Sequence, residues 1–325
     1  RWYTIDGSLR SLYFTGALAF NIEKIGLSIG LSGSAIRSNV ETIRARNTDG
    51  TDHLLNDKGT IKEGRSLVNV KGWQGGFGLG VAWHLRDLFW VGASYTSQPN
   101  VSGGMRLKGT LTNVLAALDS EESNVALTQT LPDIFRLGIR VRPTKKVELR
   151  LFGDYTRWSV MDKQCVFPEG VAGNPCDEFT NIDTALTDPS NFGAEPELDD
   201  GVAITQHLPR FWRDGGGVRA GASYWFIPQL EGYVGVGYDS SAVPVQTIEP
   251  ALMDANKVTV SLGARAQIIK NLGLAMTLTD VIYLPVDTQG QNVLNDFQTP
   301  TKQADANGVY KQNIGLLNVY VDVSF

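Results

Sequence analysis

The sequence predicts an all-β protein, a transmembrane antiparallel β-barrel with about eleven strands in this chain. Three observations carry that expectation. Many stretches alternate apolar and polar residues with a period of two, which is the side-chain repeat of a strand. The connections between them alternate short and long, as in barrels with tight turns at one rim and long loops at the other. No run of 18 apolar residues occurs, so the sequence offers no membrane-crossing helix.

The clearest element is the hairpin within residues 208–246. Val218, Ala220, Ala222, Tyr224 and Phe226 form one apolar face, against Arg219, Gly221, Ser223 and Trp225. After a Pro-containing turn at 227–229, Leu230, Gly232, Val234, Val236 and Tyr238 repeat the pattern against Glu231, Tyr233, Gly235, Gly237 and Asp239. One face is suited to lipid and the other to a lumen.

In chain order, the first strand centres on 12–20. The second begins at Ile25 and runs, more polar, to about Arg46, with Gly33 a candidate bulge. The third centres on 77–84, and the fourth starts at Phe89 and extends toward Leu111. Residues 113–124 have helical spacing and read as a short helix. Phe135 to Val141 and Val147 to Tyr155 form a hairpin, and residues 163–207 form the longest irregular segment. After the central hairpin come strands at 258–267 and 272–279, and the chain closes on a strand at 317–325. Short turns fall at 23–24, 85–87, 143–146, 227–229 and 270–271. Long connections fall at 47–65, 113–124, 163–207, 244–256 and 286–312. Aromatic residues mark strand ends, with Phe20, Trp83, Phe89, Phe226 and Phe325 on the short-turn side and Tyr95, Tyr155 and Tyr238 on the long-loop side. They sit where two interfacial girdles belong.

Composition agrees with a glycine-punctuated β protein: 35 of 325 residues are glycine. The net charge of −5 gives no basic field for nucleic acid. The opening residues lack the basic and apolar regions of a signal peptide, and the start is abrupt. An odd count of eleven, where single-chain bacterial barrels have even ones, points either to strands preceding this sequence or to one strand miscounted within it. Cys165 and Cys176 share one polar loop; they read either as a loop-closing disulfide or as two unrelated thiols.

The central hairpin also carries a family signature. The run Pro209-Arg210-Phe211-Trp212-Arg213-Asp214 precedes it, and Asp239-Ser240-Ser241-Ala242-Val243-Pro244 ends it. Upstream lie Leu131-Pro132-Asp133 and, ending the next hairpin, Asp154-Tyr155-Thr156-Arg157-Trp158-Ser159. In order and spacing these motifs resemble the FadL family of outer-membrane channels for long-chain fatty acids and hydrocarbons, although Ala242 stands where the family has proline. The resemblance implies a 14-stranded barrel plugged by an N-terminal hatch. This chain would supply the last eleven strands as a single barrel domain over residues 1–325, without the hatch. It further implies a multi-pass protein of the bacterial outer membrane, with that membrane's lipid and a hydrophobic small molecule as partners. The C-terminal Phe325 resembles the terminal aromatic read by the outer-membrane assembly machinery.

By position in the family, Arg213 is the residue expected to meet a fatty-acid carboxylate; alternatively it pairs with Asp214 or another acid. Arg37, on the long second strand, is a further candidate, and Arg219 lies on the polar face. Leu54, Leu55 and Leu67, with Val114, Leu115 and Leu118, form either a surface groove for an acyl chain or a local cap on the barrel. The lumen-facing Arg136, Arg140, Arg142, Arg150 and Arg265, with Glu148, Asp154, Glu231 and Asp239, read first as an ion-pair lattice. His53, His84 and His207 show neither metal-ligand spacing nor a partnered nucleophile, so no enzyme, cofactor or metal site is expected. The expectation is thus diffusion-driven uptake of a hydrophobic molecule. The competing class is a non-transporting barrel, an adhesin or scaffold that displays its loops.

Overall fold

The computed structural model describes residues 4–46, 55–101, 103–115, 120–179, 181–192, 204–298 and 301–323. Seventeen strands are present among them: β1 Thr4–Ile22, β2 Leu27–Arg46, β3 Gly64–Leu85, β4 Phe89–Thr96, β5 Met105–Leu115, β6 Glu121–Gln129, β7 Ile134–Thr144, β8 Val147–Thr156, β9 Lys163–Pro168, β10 Gln206–Pro209, β11 Gly215–Ile227, β12 Leu230–Asp239, β13 Lys257–Ile269, β14 Leu272–Tyr283, β15 Val286–Asp287, β16 Val309–Tyr310 and β17 Asn313–Val323. The α-helix among the described residues, α1 Ile182–Thr187, is capped by Asn181, whose side chain accepts from the backbone N–H groups of Asp183 and Thr184.

A continuous antiparallel ladder runs β1-β2-β3-β4-β7-β8-β11-β12-β13-β14-β17. These are the stretches whose alternation was legible. The wall is open: among the described residues β1 pairs with β2 and β17 with β14, and no ladder joins β1 to β17. Alternation follows the pleat. Val218 pairs with Gly153 and Tyr238, and Leu262 with Val234 and Leu278, so the apolar residues form a band on one face. That band is bare: Phe20 is 71% exposed, Leu18 67% and Leu262 59%. So broad an exposed apolar surface fits lipid rather than water. On the other face Glu148, Ser223 and Glu231 are buried and Arg219 is half-buried.

The aromatic residues stack at both ends of the band. Trp83 lies 6.0 Å from Phe89, and Tyr224 5.2 Å from Phe226, at the short-turn end. At the other, Tyr95, Phe135 and Tyr155 follow at 4.6 and 6.4 Å, and Tyr95 donates its hydroxyl to Asp133 at 3.0 Å.

The expected count of eleven is corrected to seventeen, because the long connections hold strands of their own. β1, β2 and β3 have 19, 20 and 22 residues, about twice the ~9–11 that cross a bilayer. Their surplus projects beyond the wall. β3 therefore branches: Gly78 to Leu85 pair with β4, while Gly64 to Lys71 pair with β5. From β5 a second branch continues through β6 and β9 to β10. Of the helix expected at 113–124, residues 113–115 end β5 and residues 121–124 begin β6, while 116–119 lie outside the described residues. Likewise β4 stops at Thr96, and the residues read as its extension are β5. The segment 163–207 contains β9, α1 and β10, and β15 and β16 form a small separate sheet.

The branch makes a cap with its own core. Val40, Val68, Val70, Met105, Leu107, Leu111, Val125, Leu127 and Val166 bury one another. A second cluster joins Ala185, Phe192, Phe211, Leu294, Phe297 and Ala306 from three loops. Cys165 and Cys176 form a disulfide, both fully buried beside Phe167 and Ile204. Arg106 laces that loop down, donating to the carbonyls of Gly173, Glu169 and Val171 at 3.0, 3.2 and 2.5 Å.

A candidate hydrophobic-ligand site beneath the cap

Where the outer ends of β1–β3 meet the cap, a cavity of about 540 Å³ remains. Leu9, Val40, Val68, Leu127 and Val166 line it from strands. Leu131, Trp158, Met161, Trp212 and Leu252 line it from the segments between strands. The two tryptophans meet edge to face at 4.9 Å. The lining mixes these apolar side chains with Thr4, Asp6, Thr42, Arg44, Ser66, Gln129 and Arg210, the combination of apolar wall and polar groups usual in a small-molecule site.

The polar groups converge at Arg210. Its backbone N–H and that of Phe211 both donate to the Asp162 carbonyl, at 2.7 and 2.9 Å. Phe211 has φ +49, rare for a residue with a side chain. That turn sends Phe211 into the cap core while Arg210 and Trp212 border the cavity. Arg210 Nη1 donates to Glu249 Oε2 at 2.8 Å, and its Nε and Nη2 donate to Gln164 Oε1 at 2.8 and 2.6 Å. Gln164 Nε2 in turn donates to Gln129 Oε1 at 2.6 Å. Arg44 Nη1 lies 3.9 Å from Glu249 Oε1, which also accepts from Thr4 Oγ1 at 3.3 Å. Burial alone would raise the Glu249 carboxyl, but Arg210, Arg44 and these hydrogen bonds outweigh it and hold it below the usual carboxylate range.

Arg213 lies outside this lining. It is exposed, and its backbone N–H donates to the Ala242 carbonyl at 2.8 Å. Asp214 accepts from the Tyr155 hydroxyl and from the Ser159 N–H at 2.9 Å. The glycines at 215–217 cause no register shift, since β11 pairs continuously with β8 from Gly215 onward. Arg219 sits in the lumen between two carboxylates, Asp154 at 2.5 Å and Asp239. Gly217 makes that possible, because a Cβ there would collide with the Asp239 carboxylate. Arg37 stacks on Trp73 at 5.4 Å, and β2 passes Gly33 without a bulge. Leu55, Leu67 and Val114 are all exposed and do not line the cavity. Leu115 ends β5 opposite Gly64. Leu54, Leu118 and Phe325 lie outside the described residues.

Lower in the lumen part of the expected ion-pair lattice forms, while Arg136 donates to Thr96 and Arg142 stacks over Trp225. Glu148 holds Arg140 at 2.6 Å and Arg150 at 2.5 Å, and Arg140 stacks over Trp90 at 4.2 Å. His207 is buried in the cap, 3.0 Å from Thr301 Oγ1 and 6.2 Å from the Phe192 ring. Burial and then the Lys163 charge push its pKa down to about 4. Sequence reasoning missed Arg210, Glu249, Gln164 and Gln129. Arg210 stands inside the motif that drew attention to Arg213, but the left-handed turn at Phe211, which decides which arginine faces inward, has no signal in residue type.

The fold has counterparts among known proteins. A Pseudomonas aeruginosa FadL homologue matches with a TM-score of 0.71 at 15% identity, over 98% of this chain and 68% of that one. The Ralstonia pickettii toluene transporter TbuX gives a TM-score of 0.58 at 16% identity, over 98% and 68%. The monoaromatic hydrocarbon channel CymD gives 0.61 at 16% identity, over 98% and 74%. At these identities the likeness speaks to fold. Among curated proteins no sequence match was found. The family model for outer membrane transport proteins of the OMPP1/FadL/TodX type matches residues 1–315. With nearly the whole chain matched, this protein belongs to the FadL/TodX family of outer-membrane transport proteins.

Proposed function

We propose that the chain forms a passage for hydrophobic molecules across the outer membrane, with the cavity beneath the cap as its first binding station. The cavity itself carries this reading: about 540 Å³, with leucine, valine, methionine and tryptophan side chains along its wall, at the rim where a ligand arrives from outside. Removing apolar surface from water supplies the affinity, at about 25 cal/mol per Å². The headgroup end expected at Arg213 moves to the polar end of this cavity, around Arg210 and Gln129; Arg219, tied to two acids, serves the lumen wall. The apolar band contacts membrane lipid across a single barrel domain, and Phe325 is the signal to the assembly machinery. Long-chain carboxylates and hydrocarbons are both candidate cargo, and transport rather than catalysis is the role.

The test is to fill the cavity. Leu131→Trp, in a barrel that still migrates as folded, should cut uptake of dodecanoate and toluene by fivefold or more. Unchanged uptake would favour the competing reading, a barrel that displays loops and carries nothing.

A further inference from the structure

We infer that the side-chain amide of Gln129 reads the polar end of the ligand, and that this end is an oxygen acceptor on an apolar chain. The inference rests on the cavity being the binding station proposed above.

The hydrogen bonds around Arg210 force the assignment. A guanidinium only donates, so the Gln164 atom that meets Arg210 Nε and Nη2 is its carbonyl oxygen. The amide nitrogen of Gln164 therefore faces Gln129 and must find an oxygen there. That leaves Gln129 Nε2 as the free end of the relay. It is buried, and it has no hydrogen-bond partner among the described residues. Gln129 is 4% exposed and belongs to the cavity lining. A buried amide donor without an acceptor is costly to leave unmet, and almost all such groups in folded proteins are paired. Arg210, in contrast, donates from Nε and both terminal nitrogens to Gln164 and Glu249, both already in place.

Charge at this end is balanced: Arg44 and Arg210 face Glu249, and Asp6 also lines the cavity. Arg210 polarises Gln164, and Gln164 polarises Gln129, so the last donor is strengthened along the chain. An oxygen acceptor on the ligand answers that donor; a hydrocarbon does not.

The experiment uses the full chain in lipid nanodiscs, titrated calorimetrically with dodecanoate and with dodecane. Gln129→Leu removes the donor at similar volume. Gln129→Glu also removes it but keeps an oxygen for Gln164, so the relay and the fold persist. Both should weaken dodecanoate by about tenfold or more, as loss of a hydrogen bond to a charged group does, and leave dodecane within twofold. Parallel loss of both ligands, or no change in dodecanoate, overturns the inference. The Leu131→Trp control separates the two claims. If it abolishes dodecane binding while Gln129→Leu spares dodecanoate, only the role of Gln129 falls. If it leaves dodecane binding intact, the cavity reading falls as well.

Discussion

Arg210 and Glu249 form a salt bridge at 2.8 Å with side chains only 4% and 3% exposed. Removing one partner of such a pair strands a buried charge, which costs about 3–5 kcal/mol. Glu249→Ala is therefore expected to open the cap locally, seen as faster amide exchange in β9 and β10 with the wall strands unchanged. The double variant Arg210→Met/Glu249→Leu should recover most of the protection. Equal exchange in the single and double variants would contradict this account.

His207 gives the cap a pH dependence. Its folded pKa of about 4 lies below the ordinary 6.5, so between those values the opened state binds more protons than the closed one. Cap stability is thus complete above about pH 6.5 and falls as pH drops toward 4. The loss is about 3 kcal/mol at most, from 1.36 kcal/mol per unit. Amide exchange of β10 measured from pH 7 to pH 4 should accelerate, and His207→Gln should flatten that trend. A wild-type profile as flat as the variant's would refute it.

The disulfide closes a loop of sequence separation 11. Replacing both cysteines with serine should destabilise the segment 163–179 by about 2–3 kcal/mol through loop entropy. Arg106 still holds three carbonyls of that loop, so cleavage by protease should rise without loss of the barrel. Adding Arg106→Ala to the double serine variant should then release the segment.

Gly217 leaves room for the Asp154–Arg219–Asp239 group. Gly217→Val should lower the unfolding midpoint by an amount equivalent to about 1–3 kcal/mol. At Gly16 an added Cβ meets nothing within 4 Å, so Gly16→Ala should stay within about 0.5 kcal/mol. Urea titration of the folded barrel distinguishes the two.

The wall was legible in the sequence because a strand with lipid on one side and a lumen on the other must alternate residue by residue. Val218 to Tyr238 shows that in full. The cap was not, because both faces of β5, β6 and β9 meet protein in places, and Val125, Ala126 and Leu127 are buried in succession. Without alternation, strand ends such as Asn113 and Glu122 resemble a helix. The site failed to read for a related reason. Arg210 and Arg213 have the same chemistry, and one backbone angle at Phe211 separates their surroundings. Glu249, in turn, is 39 residues from Arg210, joined to it only by the fold.

The branching of β3 has an evolutionary consequence. Its two halves recruit different neighbours, so lengthening or recolouring the hairpin of β5 and β6 breaks no hydrogen bond between β3 and β4. Substitutions in the cap can thus accumulate without disturbing the pairing of the wall, although one strand runs through both.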